Sequence, residues 1–146
     1  MYKLLFSLVV LCGLILAFKS TNVDFKKDAE KGIQFHKGSW NDALKKAKTE
    51  NKLIFLDVYA TWCGPCKRLK SQTFSNAEVG LYFNERFVNV ALDGEKDDGR
   101  QLVKTYGIRS YPSLLFIDGN GKIIKSTMGF HTSDDLITFA KTVLKK

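Results

Sequence analysis

The feature that most constrains this chain is a pair of cysteines, Cys63 and Cys66, within the stretch YATWCGPCKRLK. The third cysteine, Cys12, lies in an apolar leader, so the rest of the chain has no other thiol. A disulfide between two residues so close in sequence closes a loop too short to constrain the unfolded chain by much. The value of the pair must therefore lie in its chemistry rather than in cross-linking the fold.

The first twenty residues differ in composition from the rest of the chain. A mostly apolar run, Leu4–Phe18, follows Lys3 and precedes the polar stretch KSTN. A membrane-spanning helix needs about 20 apolar residues, whereas the core of a secretory signal needs fewer. Residues 1–20 therefore predict export, as a cleaved signal peptide or as an uncleaved N-terminal membrane anchor. Lipid modification of Cys12 is disfavoured because Leu11, and not a small residue, precedes it.

Length and charge favour a single domain over residues 21–146. A chain of 146 residues with 45% hydrophobic and 12% aromatic side chains can bury one substantial core. The formal net charge is +8, but the lysines are dispersed and no long basic run occurs. Because such runs mark nucleic-acid-binding segments, we expect a solvated basic surface and no nucleic-acid partner. A preference for acidic partners or membrane surfaces stays open.

The hydrophobic pattern alternates between helices and strands. Ser39 and Asp42 open a predicted helix, and LIFLDVYA, residues 53–60, has the apolar run of a strand buried on both faces. Further helices are predicted from Cys63 to about Phe74, in SNAEVGLYFNERF, in GRQLVKTYG and after a Ser133 cap, with strands in FVNVALD, SLLFI and KIIKSTM. The DGNG between the last two strands predicts a hairpin. This order predicts an α/β fold with a mixed central β-sheet and helices on both faces.

The cysteine pair falls where the buried strand ends and the next helix begins. Free backbone N–H groups and the positive end of the helix dipole at this point favour a thiolate over a thiol, so the pKa of Cys63 should lie below its usual value of about 8.5. Cys66, one helical turn on, is within reach of a disulfide. Pro65 suits a first turn, and Gly64 leaves the approach to the first sulfur open. We expect Cys63 to be the exposed nucleophile and Cys66 the more buried resolving thiol.

The sequence WCGPC resembles the active site of thioredoxins, and the resemblance covers roughly Ile33–Lys146. Asp57, six residues before the first cysteine, matches the buried acid of that family. The stretch YGIRSYPSLLFI resembles the family segment that carries a cis-proline, which would be Pro112, and Gly129 matches a glycine of the substrate groove. The resemblance implies a thioredoxin fold with an extra N-terminal helix. It also implies a substrate-binding surface formed by Trp62, Gly64, Pro65, Tyr111, Pro112 and Gly129.

Asp57 and the cysteines each have an alternative interpretation. Asp57 can be a structural acid; alternatively, burial raises the pKa of its carboxyl group, so that it relays protons to and from Cys66 near neutral pH, as the resemblance also implies. The two thiols can be half of a zinc site, but no second CxxC exists and the only histidines are His36 and His131. We therefore expect no metal.

The chain departs from thioredoxins at two positions near these residues. The lysine that usually lies close to the family acid is replaced, by ungapped comparison, by Asn89. Tyr111 stands where thioredoxins carry a small or β-branched residue before the cis-proline. The replacement at Asn89 bears on the pKa of Asp57, and Tyr111 bears on which substrates the site prefers. Trp62 either packs against the domain or provides a docking surface beside the reactive sulfur.

The expected function is thiol–disulfide exchange on protein disulfides outside the cytoplasm, in the periplasm or as a secreted or membrane-tethered monomer. The Gly-Pro between the cysteines resembles reducing thioredoxins and favours a reductase that needs no dissociable cofactor. It would depend on an outside electron donor or acceptor, most simply a membrane protein. Two alternatives remain: an oxidase or isomerase in disulfide formation, and a redox- or metal-linked binding module without turnover.

Overall fold

A computed structural model describes residues 32–144 of the chain. The predicted leader and the first part of the predicted domain, residues 21–31, lie outside the described residues. Six helical segments and four strands follow one another: α1 (Trp40–Glu50), β1 (Leu53–Tyr59), α2 (Gly64–Arg68) continued by a π-helical segment (Leu69–Phe74), α3 (Ala77–Arg86), β2 (Phe87–Asp93), α4 (Asp97–Tyr106), β3 (Ser113–Ile117), β4 (Ile123–Met128) and α5 (Ser133–Leu144). The predicted order of elements is confirmed. None of the described helices is long and apolar enough to cross a membrane.

The four strands form one mixed sheet in the order β2-β1-β3-β4. Strand β1 pairs in parallel with β2 and antiparallel with β3, which pairs antiparallel with β4. The carboxyl ends of β1, β2 and β4 and the amino end of β3 therefore meet at one edge of the sheet. Because β1 is an inner strand with its central residues buried, the segment that follows it emerges in the middle of that edge.

Helices cover both faces of the sheet, as predicted. The side chains of successive strand residues point to opposite faces, so each strand contributes to two cores. One core is largely aromatic and packs against α3, α5 and the π-helical segment; it includes Phe55, Leu69, Phe74, Phe83, Phe87, Phe116 and Leu136. The other is aliphatic and packs against α1 and α4; it includes Ala43, Ala47, Ile54, Leu56, Val58, Val90 and Leu102.

Local hydrogen bonds explain where the elements begin and turn. Helix α1 opens with a capping box in which the Ser39 hydroxyl accepts from the backbone N–H of Asp42 and the Asp42 carboxylate accepts from that of Ser39. Helix α4 ends at Gly107, whose φ of 63° lies in the left-handed region. In the β3–β4 hairpin, Asp118 Oδ1 accepts from the backbone N–H groups of Asn120 and Lys122.

Two local predictions need correction. The cap of α5 is Thr132 and not Ser133, because the Thr132 hydroxyl accepts from the backbone N–H of Asp135 at 3.2 Å while Ser133 is already the first helical residue. The helix predicted from Cys63 to Phe74 is continuous, but its second half is π-helical. There the Thr73 hydroxyl donates to the backbone carbonyl of His131 at 2.6 Å, which ties this helix to the segment before α5.

Candidate active site

The two cysteines lie at the sheet edge where the end of β1 meets helix α2. Cys63 is the N-cap residue of α2, with extended backbone angles, and Cys66 lies in the first turn. The backbone N–H of Cys66 points at Cys63 Sγ, with an N–S distance of 3.1 Å. This N–H has no partner within the helix, so Cys63 Sγ takes the place of a capping oxygen. A thiolate at this position faces the positive end of the helix dipole, which stabilises the anion over the neutral thiol.

Cys63 and Cys66 are joined by a disulfide, with their Cα atoms 5.3 Å apart. The prediction that Cys63 is exposed and Cys66 more buried is wrong for this oxidised form, because Cys63 is 3% exposed and Cys66 8%. Both sulfurs pack in a small cluster with Ala60, and the half-buried rings of Tyr59 and Tyr111 close around it. Nothing lies within 4 Å of the space that a Cβ on Gly64 would occupy, so the approach over this glycine is open, as predicted.

Asp57 lies behind the disulfide in the middle of β1, paired in register with Ala91 and Leu114. It is 6% exposed, and its Oδ1 has no hydrogen-bond partner. Burial raises the pKa of this carboxyl group to about 7 because the ionised form would lose most of its hydration. The raised pKa agrees with the expectation from the sequence, and the relay of protons between Asp57 and Cys66 stays a prediction.

Asp57 and Cys66 share a cavity of about 390 Å³, whose wall is otherwise formed mainly by Phe35, Tyr59, Ala60, Phe74 and Ala91. The lining also contains two exposed lysines, Lys67 and Lys70. Sequence reasoning missed both, although their positions one and four residues after Cys66 place Lys70 on the same helical face as that cysteine. The cavity is thus lined by a buried acid, by Cys66 and by two cations.

Asn89, which replaces the family lysine, is buried on β2 but does not line this cavity. Its side-chain amide donates to Asn84 Oδ1 at 3.2 Å, and its own Oδ1 has no partner. The cations that line the cavity of Asp57 therefore come from helix α2 and its π-helical continuation, and not from the neighbouring strand.

The remaining predicted site residues lie around the disulfide. The Tyr111–Pro112 peptide bond is cis, as the resemblance implied, and the backbone N–H of Gly129 donates to the Pro112 carbonyl at 2.9 Å. Trp62 is 67% exposed, which favours the docking surface over simple packing. Its ring meets Tyr111 edge to face with centroids 6.1 Å apart. Pro65 lies in the first turn of α2, as expected.

The residues proposed for a zinc site are arranged differently. The two thiols are bonded to each other, and His131 contacts Thr127 Oγ1 and the Gly129 carbonyl through its ring nitrogens. Within residues 32–144, no three His, Cys, Asp or Glu side chains lie together as a metal site would require.

Comparison with known proteins gives a consistent family assignment. A family model for a thioredoxin-like domain matches residues 40–144. Thioredoxin-1 of Drosophila melanogaster is 36% identical over 84 residues, covering 57% of this chain and 74% of that protein. The thiol:disulfide interchange protein DsbD of Colwellia psychrerythraea is 32% identical over 108 residues, covering 71% of this chain but only 18% of the relative. The chain thus spans less than a fifth of that relative.

A further relative and a solved structure match over a greater share of their length. The thiol-disulfide oxidoreductase ResA of Bacillus thuringiensis is 25% identical, covering 93% of this chain and 92% of that protein. The solution structure of a candidate disulphide-isomerase from Bacteroides thetaiotaomicron is 41% identical, with a TM-score of 0.70, covering 80% of this chain and 96% of that one. The chain belongs to the thioredoxin family of thiol–disulfide oxidoreductases.

Proposed function

We propose that this protein reduces disulfides of other proteins outside the cytoplasm, through Cys63 and Cys66. The observation that carries the proposal is the N–H of Cys66 directed at Cys63 Sγ at the start of a helix, beside the cis-Pro112 loop. This geometry favours a thiolate that can attack a disulfide, and it places an apolar surface next to the reacting sulfur.

The first step is attack on a substrate disulfide. Starting from the dithiol form, the Cys63 thiolate forms a bond to one substrate sulfur, and the other substrate sulfur leaves as a thiolate that takes a proton from water. The product is a mixed disulfide between Cys63 and the substrate. Pairing of the substrate backbone with that of Tyr111 would hold the attacked sulfur in line, since an extended segment can add to an exposed backbone edge.

The second step releases the substrate. Cys66 loses its proton to the Asp57 carboxylate and attacks Cys63 Sγ, which reforms the Cys63–Cys66 disulfide and expels the second substrate thiolate. The expelled thiolate takes this proton back from Asp57 through water, so that the substrate has gained two electrons and two protons in total. Water in the cavity shared by Asp57 and Cys66 would connect the two groups.

The leader and the relatives support the proposed setting of this reaction. An apolar leader over residues 1–20 favours export to the periplasm or beyond, either cleaved or retained as a tether. After each cycle the disulfide needs two electrons from an outside donor. A relative named as a thiol:disulfide interchange protein supports a partner that passes electrons by thiol exchange, which for an exported chain would be a membrane protein. The chain would act as a monomer.

The second candidate function is isomerisation of protein disulfides. Relatives that carry the name protein disulfide-isomerase, from Datisca glomerata and Zea mays, support it, although each match covers less than a third of the relative. An isomerase uses the same Cys63 thiolate but depends on a more oxidising disulfide, so the two functions differ in reduction potential and not in the reacting groups.

Insulin reduction tests whether the site turns over at all. With dithiothreitol as donor, we expect the protein to accelerate precipitation of the insulin B chain and Cys63→Ser to fall to the buffer rate, because the serine hydroxyl is not ionised at neutral pH. Cys12→Ser, which changes the thiol outside the domain, is the matched control and should keep wild-type activity. Wild-type activity no greater than buffer would favour a binding module instead.

The reduction potential tests the proposed direction. Equilibration of the Cys63–Cys66 pair with glutathione should give a value near that of thioredoxin, about −270 mV. Mass spectrometry of alkylated samples measures the fraction of dithiol at each glutathione ratio. A value higher by about 100 mV or more would contradict the reductase and support the oxidase or isomerase.

The raised pKa of Asp57 predicts a specific dependence of stability on pH. Its folded-state pKa of about 7 exceeds the ordinary value of 3.8, so between these values the folded protein holds a proton that the unfolded chain has lost. The contribution of Asp57 to the free energy of unfolding should be greatest below pH 4, fall by up to about 4 kcal/mol as pH rises to 7, and change little above that. Asp57→Asn should remove this decline because the amide does not titrate.

Urea unfolding of the oxidised protein at several pH values measures the effect. Asp97→Asn, which removes an exposed carboxylate, is the control and should keep the wild-type decline. The assignment of the pKa to Asp57 is wrong if Asp57→Asn retains the wild-type slope between pH 4 and 7.

A further inference from the structure

The disulfide lies between two segments of opposite charge. The segment after β2, residues 93–100 with the sequence DGEKDDGR, has four acidic and two basic residues; we call it the acidic rim. The segment after Cys66, residues 67–70 with the sequence KRLK, has three basic residues and no acidic one; we call it the basic rim. The chain as a whole is basic, with a net charge of +8, so an acidic segment beside the reacting sulfurs is notable.

The acidic rim contacts the groove directly; by the groove we mean the surface beside the disulfide formed by Trp62, Tyr111 and the cis-Pro112 loop. The indole N–H of Trp62 donates to Glu95 Oε1 at 3.0 Å. Gly94 lies against the side chain of Tyr111, since a Cβ at Gly94 would come within 2.5 Å of the phenol oxygen. The pKa of Tyr111 is raised by its own burial and further by the charges of Glu95 and Asp93. The negative charge of the acidic rim therefore reaches the residue that precedes the cis-proline.

The basic rim contacts the other side of the groove. The Arg68 guanidinium lies over the ring of Phe130, with 3.9 Å between its carbon and the ring centroid. Phe130 follows Gly129, whose backbone N–H donates to the Pro112 carbonyl. Met128, immediately before this glycine, is 66% exposed. Arg68 thus lies beside the segment that follows β4, at one end of the groove.

The strand order, together with the Arg68–Phe130 contact, places Glu95 and Arg68 on opposite sides of the two cysteines. Asp93 ends β2 and Met128 ends β4, which are the two outer strands, whereas Cys63 follows β1 and Pro112 precedes β3 between them. Three strand spacings of about 4.8 Å separate β2 from β4, or about 14 Å. An extended chain covers that distance in about four residues. In an extended ligand with its cysteine at the disulfide, the side chains two residues before and two residues after that cysteine would reach the two rims.

The charges of Glu95 and Arg68 are available to a ligand. Arg100 donates to the backbone carbonyl of Glu95 and not to its side chain. The Glu95 carboxylate accepts from the Trp62 indole N–H. Among residues 32–144, the Arg68 side chain donates only to the neutral side chain of Gln72, at 3.4 Å, apart from its contact with Phe130. Neither Glu95 nor Arg68 takes part in any of the ion pairs formed among residues 32–144.

We propose that the groove selects an extended polypeptide segment with a cysteine at its centre. A basic side chain two residues from that cysteine would face Glu95, and an acidic side chain two residues away in the other direction would face Arg68. The apolar surface of Trp62 and Met128 takes the residues between them, and the charges fix the direction in which the segment lies. This inference rests on the proposed function, because it names the substrate class of the same site.

Two isomeric peptides test the proposal. Each is a seven-residue peptide with capped ends and a central cysteine, supplied as its disulfide-linked dimer. One has Lys two residues before and Glu two residues after the cysteine, and the other has these exchanged; a third peptide has Gln at both positions. Pre-reduced protein in excess is mixed with each peptide, the reaction is stopped with acid, and the released peptide thiol is measured by chromatography.

The isomers have the same composition and net charge, so only the direction of their charge differs. We expect their rate constants to differ by on the order of fivefold at low ionic strength, and the difference to shrink in high salt because exposed charges are screened. In the double variant Glu95→Lys/Arg68→Glu, the slower isomer should become the faster one. The control Glu85→Lys/Lys45→Glu makes the same exchange on α3 and α1, away from the groove, and should keep the wild-type preference.

The outcomes separate this inference from the proposed function. Equal rates for the two isomers with wild-type protein would overturn the inference, even if the double variant does not fold. A preference that survives the charge exchange at Glu95 and Arg68 would also overturn it. Failure of the wild-type protein to reduce the Gln peptide at all would instead contradict the proposed function.

Discussion

The chemistry of this fold depends on one interaction, the contact between Cys63 Sγ and the backbone N–H of Cys66 at the start of helix α2. An inner strand, β1, fixes where the helix begins, because its buried residues hold the strand in the sheet on both sides. A sulfur that serves as the N-cap of a helix receives both a hydrogen bond and the favourable field of the helix dipole. The same contact would stabilise the anion in the dithiol form and lower the cost of expelling it from a mixed disulfide.

The two cysteines have different surroundings, and this difference divides the work between them. Cys63 faces the groove formed by Trp62, Tyr111 and the cis-Pro112 loop, where a substrate can approach over Gly64. Cys66 lines the cavity behind, with Asp57 and the two lysines. In the proposed reaction, the thiol that receives a substrate and the thiol that gives its proton to a buried acid need separate environments, because the first must be reached by a large partner and the second must lie beside the acid.

Much of the fold was predictable because its signals are local. The apolar run of β1, the Ser39–Asp42 capping box and the DGNG hairpin each depend on neighbouring residues, and each was found where predicted. The cis bond before Pro112 was implied only by the resemblance to thioredoxins, because most bonds before proline are trans. The cap of α5 was misplaced by one residue because Thr132 and Ser133 both carry a hydroxyl and only the backbone geometry selects between them.

The parts of the site that sequence did not predict depend on contacts between distant residues. The burial of Cys63 follows from the packing of Tyr111, which is far away in sequence, against the disulfide. The sequence alone showed that Asn89 replaces the family lysine. It did not show that Lys67 and Lys70 line the cavity of Asp57, because this depends on where helix α2 and its π-helical continuation lie over the sheet. The contacts of Glu95 with Trp62 and of Arg68 with Phe130 likewise join segments that only the strand order brings together.

The rate at which Cys63 is alkylated, measured as a function of pH in the reduced protein, tests the central claim most directly. The claim predicts a single transition well below the ordinary cysteine value of about 8.5, with Cys63 reacting at neutral pH much faster than Cys66 or a cysteine in an unstructured peptide. Peptide mapping by mass spectrometry identifies which thiol has reacted. A transition at or above 8.5 for Cys63, or equal rates for Cys63 and the free peptide at pH 7, would contradict the account.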